Sequence, residues 1–203
     1  MTGLLVIAGI LGVLAIVMFF VKRQEEKDGD SRAQKAIAKN ANKAIAAPSG
    51  MGHELTKLKV DDAVSITGDT YTVKQKLIFR EGNFEWVEYK LTDGATTKWL
   101  EVEDDDELWL ALYEEVDDLK LPTTDRLPDE LDYRGMEYEL DEQGYASMRK
   151  AGEPLRDDLP ECRYYDYEGD GDAVLSIEKW GENLEVSVGQ RLSPHAIEVY
   201  PGR

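Results

Sequence analysis

Hydrophobic and polar residues follow two different patterns along this chain. The first is an unbroken apolar run of 19 residues, 3–21, close to the length of about 20 residues that a helix needs to cross a bilayer. Lys22 and Arg23 follow the run directly, and no small-residue cleavage site ends it. We therefore expect a retained transmembrane helix over residues 1–22, with the N-terminus outside and the rest of the chain in the cytoplasm.

The second pattern is an alternation with a period of two residues, which begins near Leu55 and is typical of β-strands. In residues 108–113, for example, three leucines alternate with Trp, Ala and Tyr. Turn sequences such as Asp93-Gly94 separate the alternating segments. Short strands at this spacing predict an all-β domain, built as a barrel or a sandwich.

A basic, alanine-rich linker, residues 23–54, separates the two patterns. Lys35, Lys39 and Lys43 recur at the four-residue spacing of one helix face, and Pro48 interrupts the helical pattern. The linker is therefore either a short helix on an anionic membrane surface or a solvated, partly helical spacer.

An internal repeat divides the alternating part of the chain. Tyr89 matches Tyr167, and in both copies the order is strand, turn, strand, acidic turn and strand. Both copies place aliphatic residues on the same face of equivalent strands. We predict two tandem, pseudo-symmetric antiparallel β units, residues 55–121 and residues 127–200, after the transmembrane helix.

Charge is segregated along the chain. Residues 22–59 carry a net charge of +4, whereas residues 60–203 contain 15 basic and 37 acidic residues and carry −22. Such an excess of negative charge repels phosphate, so nucleic acid is excluded as a partner. It favours weak, salt-sensitive binding of a basic protein or a polycation.

An acidic loop in the second repeat has part of the spacing of a calcium site. Gly171 stands at the bend of an EF-hand-like pattern, but Ile177 occupies the position of the closing carboxylate. The first repeat has an ordinary Asp-Gly turn in the same place, so we predict a hairpin turn and no metal site. The weak metal candidates are Asp166, Glu168, Asp170 and Asp172.

Aromatic rings lie beside carboxylates in the first repeat. The candidate surface for a cation or a partner consists of Trp99, Glu101, Glu103 and Trp109. Rings beside carboxylates suit a polyamine, or the Lys and Arg side chains of a protein. The alternative is that these rings are buried between the two repeats.

No motif for catalysis or cofactor binding occurs in the chain. Cys162 is the single cysteine, and neither His53 nor His195 is placed to act as its base, so we expect a core cysteine. We predict that the protein is not an enzyme and has no cofactor.

The chain resembles a bacterial family of unknown function with tandem Trp/Tyr-rich β repeats, in the segments LKVDDAVSITGDTYTV, FEWVEYKL, KWLEVED, YYDYEG and LSIEKWGENLEVSVGQRL. The resemblance extends from Leu55 to Tyr200 and implies a gene near membrane-stress genes of the phage-shock type. It carries over no catalytic residue. We expect a single-pass protein of the bacterial inner membrane, whose acidic domain is an interaction or regulatory module in envelope stress. The alternative is a sensor of a small cation, a polyamine or calcium.

Overall fold

Alternating side chains give most strands of this protein two chemically different faces. The computed structural model describes residues 50–105, 107–122, 126–154 and 158–202. In the strand Thr97–Asp104, Leu100 and Val102 are fully buried on one face, whereas Trp99, Glu101 and Glu103 occupy the other. The prediction of an all-β domain is confirmed.

The described residues form one short helix, eleven strands and one 3-10 turn, Pro194–Ala196. The helix α1 is Met51–Leu55. The strands of the first half are β1 Ala63–Ile66, β2 Asp69–Glu81, β3 Phe84–Thr92, β4 Thr97–Asp104 and β5 Leu108–Glu115. The remaining strands are β6 Glu130–Tyr133, β7 Met136–Lys150, β8 Glu161–Glu168, β9 Ala173–Trp180, β10 Asn183–Arg191 and β11 Ile197–Tyr200.

All eleven strands belong to one antiparallel sheet with the order β11-β1-β2-β3-β4-β5-β10-β9-β8-β7-β6. Strand β2 also pairs with β7, from Leu77 opposite Lys150 to Arg80 opposite Ser147. This pairing closes the eight strands β2–β5 and β7–β10 into a barrel, whose interior we call the lumen. Strands β1, β6 and β11 extend the sheet beyond the barrel.

The predicted fold class, two tandem β units after a transmembrane helix, is therefore wrong. The strands of both segments form one barrel that neither segment closes alone, because each contributes four of its strands. The expected transmembrane helix, residues 1–22, and residues 23–49 of the expected linker lie outside the described residues.

No helix in the part of the chain that the structure describes combines the length and the apolar composition needed to cross a bilayer.

Each half of the barrel has an apolar core on the outside of its wall. In the first half, aliphatic side chains of β3, β4 and β5 pack against α1, β1 and β11, and the buried Tyr89 hydroxyl donates to the Leu55 carbonyl at 2.8 Å. In the second half, β8 and β9 pack against β6 and the segment before it, and the Tyr167 hydroxyl donates to the Pro128 carbonyl at 3.0 Å. The opposite faces of these strands consequently turn into the lumen.

Aromatic rings meet across the lumen. Trp86 on β3 contacts Tyr164 on β8 edge to face, with 5.6 Å between the ring centroids. Phe79 on β2 lies 6.2 Å from Trp180 on β9. Neither pair of strands is adjacent in the sheet, so these contacts pass through the barrel interior.

The pairing of β5 with β10 brings the two halves close together. A Cβ atom added to Gly189 would lie only 2.3 Å from the Leu112 carbonyl oxygen. Glycine therefore permits this close approach of two backbones on opposite halves of the barrel.

Candidate functional site

The lumen is lined with acidic side chains. These side chains alternate along the strands with apolar residues that belong to the outer cores. Glu88 on β3 lies between Val87 and Tyr89, which are buried in the outer core. Glu178 on β9 follows Ile177 of the second outer core in the same way. The alternation of each strand thus turns its carboxyl groups inward.

Two adjoining cavities occupy the lumen. The larger, of about 220 Å³, has Leu77, Trp99, Met148 and Trp180 among its walls. The smaller, of about 40 Å³, has about the volume of one or two water molecules. Both cavities share the walls Glu88, Glu101, Ser176 and Glu178. The carboxyl groups that line them belong to Glu88, Glu101, Glu103, Glu115, Glu142, Asp166, Glu178 and Glu185.

Two indole groups orient carboxylates of the larger cavity. Trp180 Nε1 donates to Glu178 Oε2 at 2.9 Å, and Trp99 Nε1 donates to Glu115 Oε1 at 2.7 Å. Each hydrogen bond holds one carboxylate in place at the edge of an indole ring. The rings themselves form part of the cavity wall.

Enclosure of these acids raises their pKa values. Burial, followed by repulsion from Glu178 and Asp166, holds the pKa of Glu88 well above its usual range. Burial and repulsion from Glu103 do the same for the pKa of Glu101. Burial also raises the pKa of Asp166 and the pKa of Glu178 to about 7 each. Some of the lumen carboxyl groups are consequently protonated at neutral pH.

Two pairs of lumen carboxyl groups interact. Glu178 lies near Glu88 across the lumen and, after burial, is the main cause of the raised pKa of Glu88. Glu103, on the same face of β4 as Glu101, acts on the pKa of Glu101 in the same way. Because β3 and β9 lie on opposite sides of the barrel, the first pair bridges its two halves.

The protein already places cationic side chains on both tryptophans of the predicted surface. Lys90 Nζ lies 5.3 Å from the centroid of the Trp99 ring. The Arg191 guanidinium lies 3.9 Å from the centroid of the Trp109 ring and also 3.8 Å from Glu168. An aromatic face that holds a cation in this way gains electrostatic attraction from the ring quadrupole.

The structure brings three of the four predicted surface residues into the shared lumen. Trp99 and Glu101 line the larger cavity, and Glu101 and Glu103 line the smaller one. Trp109, on β5, is paired with Glu103 of β4. Arg191 covers its ring, and Trp109 is not among the described residues that line either cavity. The ring of Trp99 thus faces the lumen, whereas the ring of Trp109 lies against Arg191.

The four weak metal candidates are divided between three places. Asp166 lines the smaller cavity, and Glu168 forms the ion pair with Arg191. Asp170 and Asp172 are exposed in the β8–β9 turn, where Gly171 has a φ of 71°. Within the residues that the structure describes, no three His, Cys, Asp or Glu side chains converge as metal ligands.

Sequence reasoning missed Glu88, Glu178, Trp180 and Tyr113 as lumen residues. A signal for them was present, because Glu88 alternates with Val87 and Tyr89 as Glu101 alternates with Leu100 and Val102. The same alternation in β9 places Glu178 and Trp180 on one face. Extending the face assignment of β4 to β3, β5 and β9 would have found them.

Comparison with known proteins gives a family but no activity. Residues 59–194 match the model of a domain of unknown function, DUF4178. Uncharacterised proteins of Mycobacterium bovis and of two strains of Mycobacterium tuberculosis are each 31% identical over 144 residues, 68% of this chain and 69% of the relative. No solved structure matches the chain significantly. The chain therefore belongs to the bacterial DUF4178 family of domains of unknown function.

Proposed function

We propose that the protein binds a small organic cation in the lumen and acts as a sensor or binding module for it. The observation that carries this proposal is the charge of the enclosed space. Among the described residues that line the two cavities, many carry a carboxyl group and none is Lys or Arg. The Lys90 ammonium lies near the Trp99 wall, and a cation that enters supplies positive charge to the carboxyl groups farther inside.

The energetic reason is the cost of enclosing like charges. Ionised carboxylates that are removed from water and placed beside one another are destabilised unless a counter-charge accompanies them. The lumen lowers this cost by holding protons, because burial and the nearby Glu178 keep the pKa of Glu88 well above its usual range. An ammonium group can replace such a proton and donate hydrogen bonds to both carboxylates.

The arrangement favours an organic cation over calcium. Calcium takes roughly six to eight oxygen ligands at roughly 2.3–2.6 Å, which requires carboxylates that converge on one point. The lumen instead distributes its carboxylates along the walls, with Trp99, Trp180 and Met148 between them. Apolar walls between charged positions suit methylene groups between ammonium groups.

Tryptophan fluorescence of the full chain tests this proposal. Titration with spermidine at constant ionic strength is expected to give a saturable change, because Trp99 and Trp180 line the larger cavity. Calcium chloride is expected to give none. Glu101→Gln should weaken the spermidine response, whereas Glu161→Gln, the same change on an exposed residue of β8, should not. A non-saturable or salt-equivalent response to spermidine would refute the proposal.

A second proposed function uses the outer surface. An open groove of about 790 Å³ beside β5 and β10 includes Glu115, Asp117 and Asp172. Its Glu114 and Asp118 form ion pairs with its Lys98 and Arg134, and residues 60–203 carry −22 overall. These charges support weak binding of a basic protein. Pull-down at low and high salt tests it, and recovery of only neutral or acidic proteins at both salt concentrations would contradict it.

We also propose that the domain serves regulation in the membrane-stress response and that its halves are tandem Trp/Tyr-rich repeats. The resemblance described above motivates the first point. The matching hydroxyl contacts of Tyr89 and Tyr167 with covering segments support the second. Reading the genes adjacent to several members of the family tests the regulatory context.

A further inference from the structure

The larger cavity has two separate groups of acids, one deep and one at its mouth. The deep group is Glu88, Glu101 and Glu178, which the barrel encloses. The mouth group is Glu115 and Glu185, both of which are exposed to solvent while also lining the cavity. A ligand that enters from solvent therefore meets one anionic group first and the other at depth.

Apolar surface connects these two groups. Trp99, Trp180, Met148 and Leu77 line the same cavity. The indole of Trp99 donates to Glu115 of the mouth group, and the indole of Trp180 donates to Glu178 of the deep group. Each ring thus joins the apolar wall to one of the acidic groups and holds a carboxylate at its edge.

The protein supplies its own example of an ammonium group at the mouth. Lys90 Nζ lies 5.3 Å from the Trp99 ring centroid. Burial, followed by the nearby Glu115, raises the pKa of Glu185, and electrostatic attraction from the Lys90 ammonium opposes this rise. A primary ammonium at the ring of Trp99, near enough to Glu185 to attract its carboxylate, is therefore compatible with this structure.

We propose that the larger cavity takes a linear diammonium ion, with one ammonium group among Glu88, Glu101 and Glu178 and the other at Glu115 and Glu185. The methylene chain lies against Trp99 and Trp180. This inference rests on the proposed cation-binding function and adds the ligand class. A monoamine of the same length fills only one of the two acidic groups, and a quaternary ammonium ion lacks the N–H donors that carboxylates accept from.

Isothermal titration calorimetry of the full chain with butane-1,4-diamine and butan-1-amine tests the ligand class. At pH 8 both amines are protonated, because alkylammonium groups have pKa values of about 10. The second ammonium meets partly exposed carboxylates, so we expect the diamine to bind about five- to tenfold tighter than the monoamine.

The mouth variant Glu115→Gln with Glu185→Gln separates the two ends of the site. Both residues are exposed, so the fold is expected to persist, which circular dichroism checks. The diamine should fall to the affinity of the monoamine, and the monoamine should change by less than about twofold. The control Glu161→Gln on the outer face of β8 should preserve the full preference for the diamine.

Lys90→Met gives an independent measurement. Removing the side chain that occupies the mouth should increase the ratio of diamine to monoamine affinity, because only the diamine places a second ammonium there. Equal affinities of the two amines for the wild-type chain, or a diamine preference that survives the mouth variant, would overturn this inference and leave cation binding intact. Absence of binding by either amine and by spermidine would overturn both.

Discussion

The lumen acids make the folded state less stable as the pH rises. Glu178 has a pKa of about 7 in the folded protein and an ordinary value of 4.5. Between these pH values the folded protein holds a proton that the unfolded chain has released. Unfolding then releases a proton, so the contribution of Glu178 to the free energy of unfolding falls from about pH 4.5 to about pH 7 and levels off above it.

The size of this effect follows from the two pKa values. A change from 4.5 to about 7 corresponds to about 3 kcal/mol at 25 °C. Asp166, with an ordinary pKa of 3.8 and a folded pKa of about 7, loses about 4 kcal/mol over its own range. Small domains have total stabilities of about 5–15 kcal/mol, so either contribution is readily measured.

Glu178→Gln removes the titrating group while retaining an amide oxygen that can accept from Trp180. Urea unfolding of the full chain at pH 5, 6, 7 and 8, without ligand, should show a decrease in the variant that is about 2–3 kcal/mol smaller than in the wild type. Glu161→Gln should retain the wild-type decrease. Identical pH dependence in Glu178→Gln and the wild type would refute the argument that burial raises the pKa of this carboxyl group in the folded lumen.

Two further predictions concern the cores. Leu100 is 0% exposed, whereas Leu184 is 43% exposed. In urea unfolding, Leu100→Ala should lower the free energy of unfolding by about 2–5 kcal/mol, and Leu184→Ala should lower it by less than about 1 kcal/mol. Similar losses in the two variants would contradict the assigned core. Burial, followed by the nearby Glu178 and Glu88, raises the pKa of the Cys162 thiol. A disulfide reagent monitored by absorbance should therefore modify it at least about 100-fold more slowly in the folded protein than in urea, and comparable rates would be inconsistent with burial.

The strands could be predicted from the sequence, but the barrel could not. Alternation shows which residues share a face, and the predicted strand content of residues 108–113 agrees with β5. It does not show which distant strands pair. Closure depends on β2 with β7 and β5 with β10, and both pairs join segments far apart in the chain. A repeat in the sequence is compatible with two separate units as well as with two halves of one barrel.

The candidate site was partly predictable for the same reason. The shared face of Trp99, Glu101 and Glu103 followed from their spacing, but whether that face met solvent or an interior did not. Glu88 and Lys90 on one face of β3 have the composition of an ordinary solvent-exposed face. The contact between Arg191 and Trp109 could not be inferred, since it requires β5 and β10 to be neighbours.

The pairing of β11 with β1 has a consequence for protein synthesis. Ile66 lies opposite Ile197, and Ile197 belongs to the apolar core of the first half. During translation, strands β1–β5 leave the ribosome long before β11 has been made. The first half therefore cannot complete its core until the second half has been synthesised, and its apolar surface needs protection from aggregation throughout that interval.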